Sequence, residues 1–248
     1  MIPKIIHQTW KNETIPDKWK NYHASWKKHF PGPEYKHILW TDKDNREFIK
    51  QNYNWFLDTF DNYPKNIQRA DAIRYFILYH YGGIYADLDC EVRENFYQYL
   101  DQNNINLAES IHSNEKRNTM NHLMASNKNN EKWKKVFTNL EKKKKLGSTI
   151  QSTGPAILNV LKDENINLLS CKDFNPLKRR PWWRHTIENT FFTTLDEEKI
   201  KHWDSAKVVH HSSESWYTEE AYHYIKTYGI FILIILIVLY FLYKKFSR

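Results

Sequence analysis

At 248 residues, 41% hydrophobic and 16% aromatic with ten tryptophans, the chain carries enough apolar mass for one well-cored domain, which excludes the disordered class. Of its net charge of +8, three units come from Lys244, Lys245 and Arg248 at the extreme C-terminus, and the remaining excess is too modest for a nucleic-acid binder with a basic stripe. Two cysteines, Cys90 and Cys171, cannot make the disulfide framework of a small secreted domain.

Met1 to Trp10 opens as an apolar strand without a charged leader or a long hydrophobic run, so no signal peptide is expected and the fold is expected to start at the first residue. Trp10 closes that strand, where its indole is either a core residue or a flat face for a nucleotide base, a stack worth about 1 to 3 kcal/mol. Thr14 to His29 reads as a short helix with Trp19, Tyr22 and Trp26 on one face, Pro31-Gly32-Pro33 as a turn, and Tyr35 to Trp40 as the next strand. Asp42-Lys43-Asp44, a first Asp-x-Asp, sits among Lys, Asn and Arg and reads as a solvated turn. Helices follow over Asp44 to Gln51 and Trp55 to Tyr63, stopped by Pro64.

The stretch from Gln68 to Asp89 carries the chemistry. Ile73, Phe76, Ile77 and Tyr81 recur at three-and-four spacing and predict a helix with one apolar face. Gly82-Gly83 ends it, and Ile84-Tyr85-Ala86 re-enters as a buried strand leading to Asp87-Leu88-Asp89. Period-two geometry would put Asp87 and Asp89 on the same side of an extended chain, where both reach one hard cation. Charge placed at the end of a buried strand is costly unless a metal or cation compensates it. Asp71 and Arg74, three apart on the helix, are either a surface ion pair or a donor-binding pair. In the second case Arg74 holds phosphates through its guanidinium fork and Asp71 hydrogen-bonds sugar hydroxyls. Alternation of strands and helices ahead of carboxylates at a strand end predicts an α/β layer.

Beyond Asp89, Cys90 reads as a packing thiol, Leu107–Glu109 and Leu123–Ala125 as short strands, and Trp133 to Leu140 as a helix running into Lys142–Lys145. Those lysines are either a solvated loop or a patch drawn to an anionic membrane surface. Ser152-Thr153-Gly154-Pro155 is a turn ahead of a helix start, and Lys178 to His185 mixes basic and aromatic residues suited to a headgroup layer or an exposed loop. Val208-Val209 is a strand that delivers His210 and His211, one of which faces the cleft if the strand is buried on its other side; a neutral imidazole suits manganese better than magnesium or calcium. Tyr228 to Tyr243 is sixteen residues without a charge, spanning about 24 Å against a hydrocarbon core of about 30 Å, and flanking lysines can snorkel. It is expected to be a membrane anchor, the alternative being a buried C-terminal helix.

Together, Ile2 to Trp10, Leu39-Trp40-Thr41-Asp42, Trp55 to Tyr63 and the helix-to-DXD stretch resemble the glycosyltransferases with a DXD sugar-binding motif, and within them the inositol-phosphoceramide mannosyltransferases and the yeast-type initiating mannosyltransferases. The similarity is dense over about the first 95 residues and patchy from there to about residue 222. It implies a GT-A-type nucleotide-diphospho-sugar transferase fold over residues 1–222, with the anchor at 228–243 and a short basic tail at 244–248. It implies a retaining, metal-dependent hexosyl transfer in which Asp87, Asp89 and a C-terminal histidine hold Mn²⁺ or Mg²⁺ against the donor diphosphate. Spacing to Trp216 makes His211 the carried-over ligand, with His210 in reserve. The resemblance also draws Trp10, Asp71, Arg74, Asp87 and Trp216 into donor binding, and makes the Thr153-Gly154-Pro155 turn part of the acceptor side.

The expected donor is GDP-mannose and the expected acceptor a membrane lipid such as inositol phosphoceramide. The alternatives are a hexosyltransferase using another sugar nucleotide on a polysaccharide or glycoprotein glycan, and a catalytically silent membrane-tethered subunit. A regulatory membrane subunit is left open, and no nucleic acid is expected. The chain is expected to be single-pass and tail-anchored with its domain facing the cytosol, the Golgi lumen being the alternative.

Overall fold

The computed structural model describes residues 1–110, 119–146, 148–176 and 202–211, together with Leu233, Ile235, Leu239 and Tyr240. In the unit Met1–His211 the chain begins with β1 (Ile5–Thr9), α1 (Asp17–His29), β2 (Lys36–Trp40), α2 (Asp42–Asn52), α3 (Asn54–Asp61) and α4 (Asn66–Tyr81). It continues through β3 (Gly83–Ala86), β4 (Cys90–Val92), β5 (Asn106–Glu109), β6 (Thr119–Ser126), α5 (Trp133–Lys143) and α6 (Thr149–Ser152). After a 3₁₀ segment at Pro155–Leu161 come β7 (Asn167–Leu169), α7 (Cys171–Phe174) and β8 (Val208–His210). A mixed sheet of order β2-β1-β3-β6-β5-β7 forms the middle layer, parallel across β2, β1 and β3 and antiparallel at β6, and β4 pairs separately with β8.

Alternation along the strands separates two cores. Tyr85 and Met124 join Phe56, Phe76, Trp133 and Phe137 from α3 to α5 on one side. On the other, Ile84, Ala86, Leu123 and Ala125 meet Trp26 and Phe30 of α1, with Cys90 and Val208 of the small sheet. The α/β layer expected from the sequence is therefore present.

Two local readings are corrected. Asp42 and Asp44 are exposed, yet they form the first turn of α2 and not a free turn: Thr41 Oγ1 accepts from the Asp44 amide at 3.2 Å while Asp44 Oδ2 accepts from the Thr41 amide at 3.0 Å, a reciprocal cap. Helix α4 is not a one-faced helix, because every residue from Asp71 to Leu78 is buried. It runs through the interior, with α2, α3, α5 and α6 around it and the sheet beneath.

Gly83 explains why α4 can turn straight back into the sheet. Its φ is +100°, and a Cβ there would lie 2.5 Å from the Ile5 carbonyl oxygen on the neighbouring strand, so only glycine lets β3 lie this close to β1. The same junction fixes the tautomer of His7. Trp40 Nε1 can only donate, at 3.2 Å to His7 Nδ1, so the ring proton sits on Nε2 and is donated to the Gly82 carbonyl at 2.9 Å. Burial holds this imidazole neutral, with its pKa near 4, and Lys36 adds to that.

A pH dependence follows. An unfolded His7 takes up a proton near its ordinary 6.5 and the folded one does not, so its stabilisation is complete above pH 6.5 and is lost as the pH falls towards 4. The loss amounts to about 3 kcal/mol over that window. His7→Asn, whose amide can still accept and donate, is expected to flatten the melting temperature between pH 6.5 and 4 relative to the parent; equal slopes would contradict this account.

Among the described residues no helix is long and apolar enough to cross a membrane. The expected anchor at 228–243 lies outside the described residues apart from Leu233, Ile235, Leu239 and Tyr240, which are helical and exposed. The Lys178–His185 stretch and Trp216 also lie outside them.

Candidate active site

Arg74 is the hub of a buried charge network. Its Nη2 lies 3.0 Å from Asp71 Oδ1 and its Nη1 3.2 Å from Asp87 Oδ1, while Nη1 also donates to the Asn121 carbonyl at 2.7 Å and Nε to the Ala70 carbonyl at 3.2 Å. The guanidinium packs over the Tyr85 ring, 4.8 Å from its centroid. At 3% exposure Arg74 offers little to solvent, so the pair with Asp71 is a core feature and not a surface pair. Burial pushes the Asp71 carboxyl up to about 6 against the opposing pull of Arg74. Asp87 is raised for the same reason, held down by Arg74 and pushed further by Asp89.

The two DXD carboxylates do not share one face of an extended strand. Strand β3 ends at Ala86, and Asp87 to Cys90 is a tight turn closed by the Cys90 amide on the Asp87 carbonyl at 3.0 Å. This turn sends the two side chains to different partners. Asp87 goes to Arg74 and to the Tyr85 hydroxyl, which donates to its Oδ1 at 3.0 Å. Asp89 goes to β8, where its Oδ1 lies 3.3 Å from His210 Nε2.

Register explains why His210 is the partner. Strand β8 pairs antiparallel with β4, setting His210 opposite Cys90 and beside Asp89. The same pairing carries the next side chain away: His211 Nε2 bonds Glu91 Oε2 at 2.9 Å and its ring stacks on Tyr22 with centroids 4.0 Å apart. The structure thus brings the imidazole of the reserve histidine to Asp89, while His211 meets the DXD turn through its backbone amide, which donates to the Asp89 carbonyl at 3.0 Å. Burial works against an imidazolium at His210, but Asp89 and Asp87 outweigh it and raise its pKa. Its ring stacks 4.2 Å from His122, itself buried and held neutral.

Among the described residues, Asp89, Cys90 and His210 offer ligand atoms that all lie within 4.8 Å of one another. Cys90 is buried with its Sγ 3.7 Å from the His122 carbonyl, and its thiol is a soft donor that a hard cation does not favour. An oxygen from Asp89 and a nitrogen from His210 lie together as donors, while Asp87 is directed to Arg74, its Oδ2 3.5 Å from Arg74 Nη1. A carboxylate beside an imidazole fits Mn²⁺ and suits Mg²⁺ less well.

Sequence reasoning missed the residues that complete the network. Asn121 donates to Asp71 Oδ1 at 2.9 Å from β6, and Thr153, in the turn read as the acceptor side, donates to Asp71 Oδ2 at 3.4 Å. Thr9 and the Tyr85 hydroxyl lie 3.0 Å apart, joining β1 to the DXD turn. A lone Asn in a polar region gave no signal, whereas the Thr-Gly-Pro turn did. Trp10 is half-buried and meets Trp19 edge-on at 4.6 Å.

Residues 16–111 match the family described as the glycosyltransferase sugar-binding region containing a DXD motif. A mannosyl phosphorylinositol ceramide synthase of Saccharomyces cerevisiae is 61% identical over 93 residues, covering 37% of this chain and 24% of the relative. A second synthase of that description from the same yeast is 36% identical over 235 residues, covering 92% of this chain and 56% of the relative. An initiation-specific alpha-1,6-mannosyltransferase of Candida albicans is 37% identical over 95 residues, 36% of this chain and 24% of the relative. The chain therefore spans between about a quarter and about half of the length of these relatives. Among solved structures, the PaToxG glycosyltransferase superposes with a TM-score of 0.51 at 20% identity, covering 66% of this chain and 70% of that one. The glycosyltransferase GlyE of Streptococcus pneumoniae TIGR4, without ligand, gives 0.51 at 15% identity over 86% of this chain and 55% of that one. The fold is that of the GT-A glycosyltransferases.

Proposed function

We propose that the chain, which is similar to the glycosyltransferases that carry a DXD sugar-binding region, transfers mannose from GDP-mannose, with retention of configuration, to inositol phosphoceramide or a membrane lipid of that kind. The observation that carries this reading is the DXD turn itself. It parts two carboxylates so that one is held by a buried arginine and the other meets an imidazole delivered from 121 residues further on. A silent scaffold gains nothing from burying that much charge.

Asp87, Asp89 and His210 are the residues that would hold Mn²⁺, which when bound supplies positive charge against the departing nucleoside diphosphate. Arg74 acts by fixing Asp87 and Asp71, since four of its N–H directions already end on protein acceptors. Asp71, steadied by Asn121 and Thr153, faces the sugar hydroxyls, and Trp10 and Trp216 contribute to the nucleotide side. The names of the relatives support mannose and an inositol phosphoceramide acceptor. The exposed apolar helix positions Leu233, Ile235, Leu239 and Tyr240 support an anchor at 228–243.

A thermal-shift titration of the full chain in detergent against GDP-mannose, UDP-glucose and UDP-galactose, each with and without Mn²⁺, tests donor and metal together. A ligand at a hundred times its Kd stabilises the native state by about 2.7 kcal/mol. The expected result is a shift with GDP-mannose that requires Mn²⁺. A shift with a UDP-sugar alone would replace the donor, and none under any metal would remove the enzymatic reading.

A further inference from the structure

The C-terminal end of α5 carries features the active site does not use. Lys142 and Lys145 are exposed there and Lys143 is half-buried, Lys144 being tied to Glu141 at 2.9 Å and to Thr59 of α3 at 3.1 Å. Directly after them Leu146 is 41% exposed and, on α6, Ile150 is 45% exposed. On α3, which Lys144 bridges to α5, Trp55 is 57% exposed and its ring is tilted against Phe137 of α5, with centroids 6.5 Å apart. Three large apolar side chains are thus held in the open around a group of cations. A merely solvated loop needs no Leu or Ile here. Apolar tips beside lysines match the interface of an anionic bilayer, where the cations meet headgroups and the apolar groups enter below them.

We infer that this face, formed by Trp55, Lys142, Lys143, Lys145, Leu146 and Ile150, docks on an anionic lipid surface. The inference rests on the lipid-acceptor reading for its purpose, since Ile150 lies one helical turn from Thr153, whose hydroxyl donates to Asp71 at 3.4 Å. A headgroup at this face would stand at the threshold of the site.

The two native cysteines are buried, so a single introduced thiol can be labelled selectively. Leu146→Cys, Ile150→Cys and, on the opposite side of the sheet, Lys28→Cys carry an environment-sensitive fluorophore in the full chain reconstituted into phosphatidylcholine vesicles with or without phosphatidylserine. At positions 146 and 150 the expected result is a blue shift and quenching by brominated lipid at least about twofold stronger with phosphatidylserine, with no change at position 28. K142E/K143E/K145E should abolish that gain, K142Q/K143Q/K145Q should weaken it, and both should keep the parent melting temperature and Mn²⁺-dependent donor shift. Labels at 146 and 150 that behave like the one at 28, while transfer to vesicle lipid persists, overturn the docking face and leave the mannosyltransferase reading intact. Docking without transfer leaves the face standing and removes the lipid-acceptor reading. A response to a soluble acidic polypeptide and none to vesicles would assign the face to a protein partner and overturn the inference.

Discussion

Asp89→Asn is expected to cut transfer by about 10²- to 10³-fold and to abolish the Mn²⁺-dependent part of the donor shift, while the protein melts close to the parent. The amide keeps the shape of the carboxylate but loses the charge that faces His210 across 3.3 Å and that a divalent cation requires. The change in stability should be small, because losing the Asp89 charge relieves the repulsion that raises Asp87 and at the same time removes the charge that favours a protonated His210. The first Asp-x-Asp gives the matched control. Asp44→Ala removes the reciprocal cap on Thr41 and should cost about 1 kcal/mol of stability, with transfer unchanged. If both variants lost stability and neither lost transfer, the site would not be at Asp89.

Arg74→Met should have the opposite signature, a large loss of stability accompanied by loss of function. Removing the guanidinium leaves the buried Asp71 and the half-buried Asp87 without their shared counter-charge, a change that costs about 3 to 5 kcal/mol. The test is urea unfolding of the single variant beside Arg74→Met/Asp71→Asn. The double variant should recover much of the stability, since one orphaned charge is gone, yet remain inactive, since Asp87 is still unheld and the sugar-facing carboxylate is lost. Recovery of transfer along with stability would make Arg74 a structural residue alone.

What could be read from the sequence and what could not divide along a physical line. The helix, glycine pair, strand and DXD are contiguous, and their order alone fixes an α/β unit with carboxylates at a strand end; the fold bears this out. Period-two reasoning failed at Asp87 and Asp89 because it presumes the strand continues, and the bond from the Cys90 amide to the Asp87 carbonyl ends it three residues too soon. Periodicity also understated α4: Asp71 and Arg74 look like an exposed face when counted as polar, but they neutralise each other inside the core. The choice between His210 and His211 turned on the pairing register of β8 with β4, which no local pattern encodes. Asn121 and Thr153 come from segments 50 and 82 residues away from Asp71, and only tertiary structure brings them in.

The pairing of β8 with β4 also places a time stamp on the site. A chain extended only as far as Phe174 already holds all six strands of the main sheet, including β7, and both hydrophobic layers can close around it. Yet Asp89 has no imidazole beside it until residue 210 has been made, 36 residues later. At about 5 to 20 residues per second the body of the protein would precede its own ligand set by about 2 to 7 s during synthesis. A nascent chain in that interval has the main sheet without the Asp89–His210 pair, and β8, the last strand among the described residues, completes it.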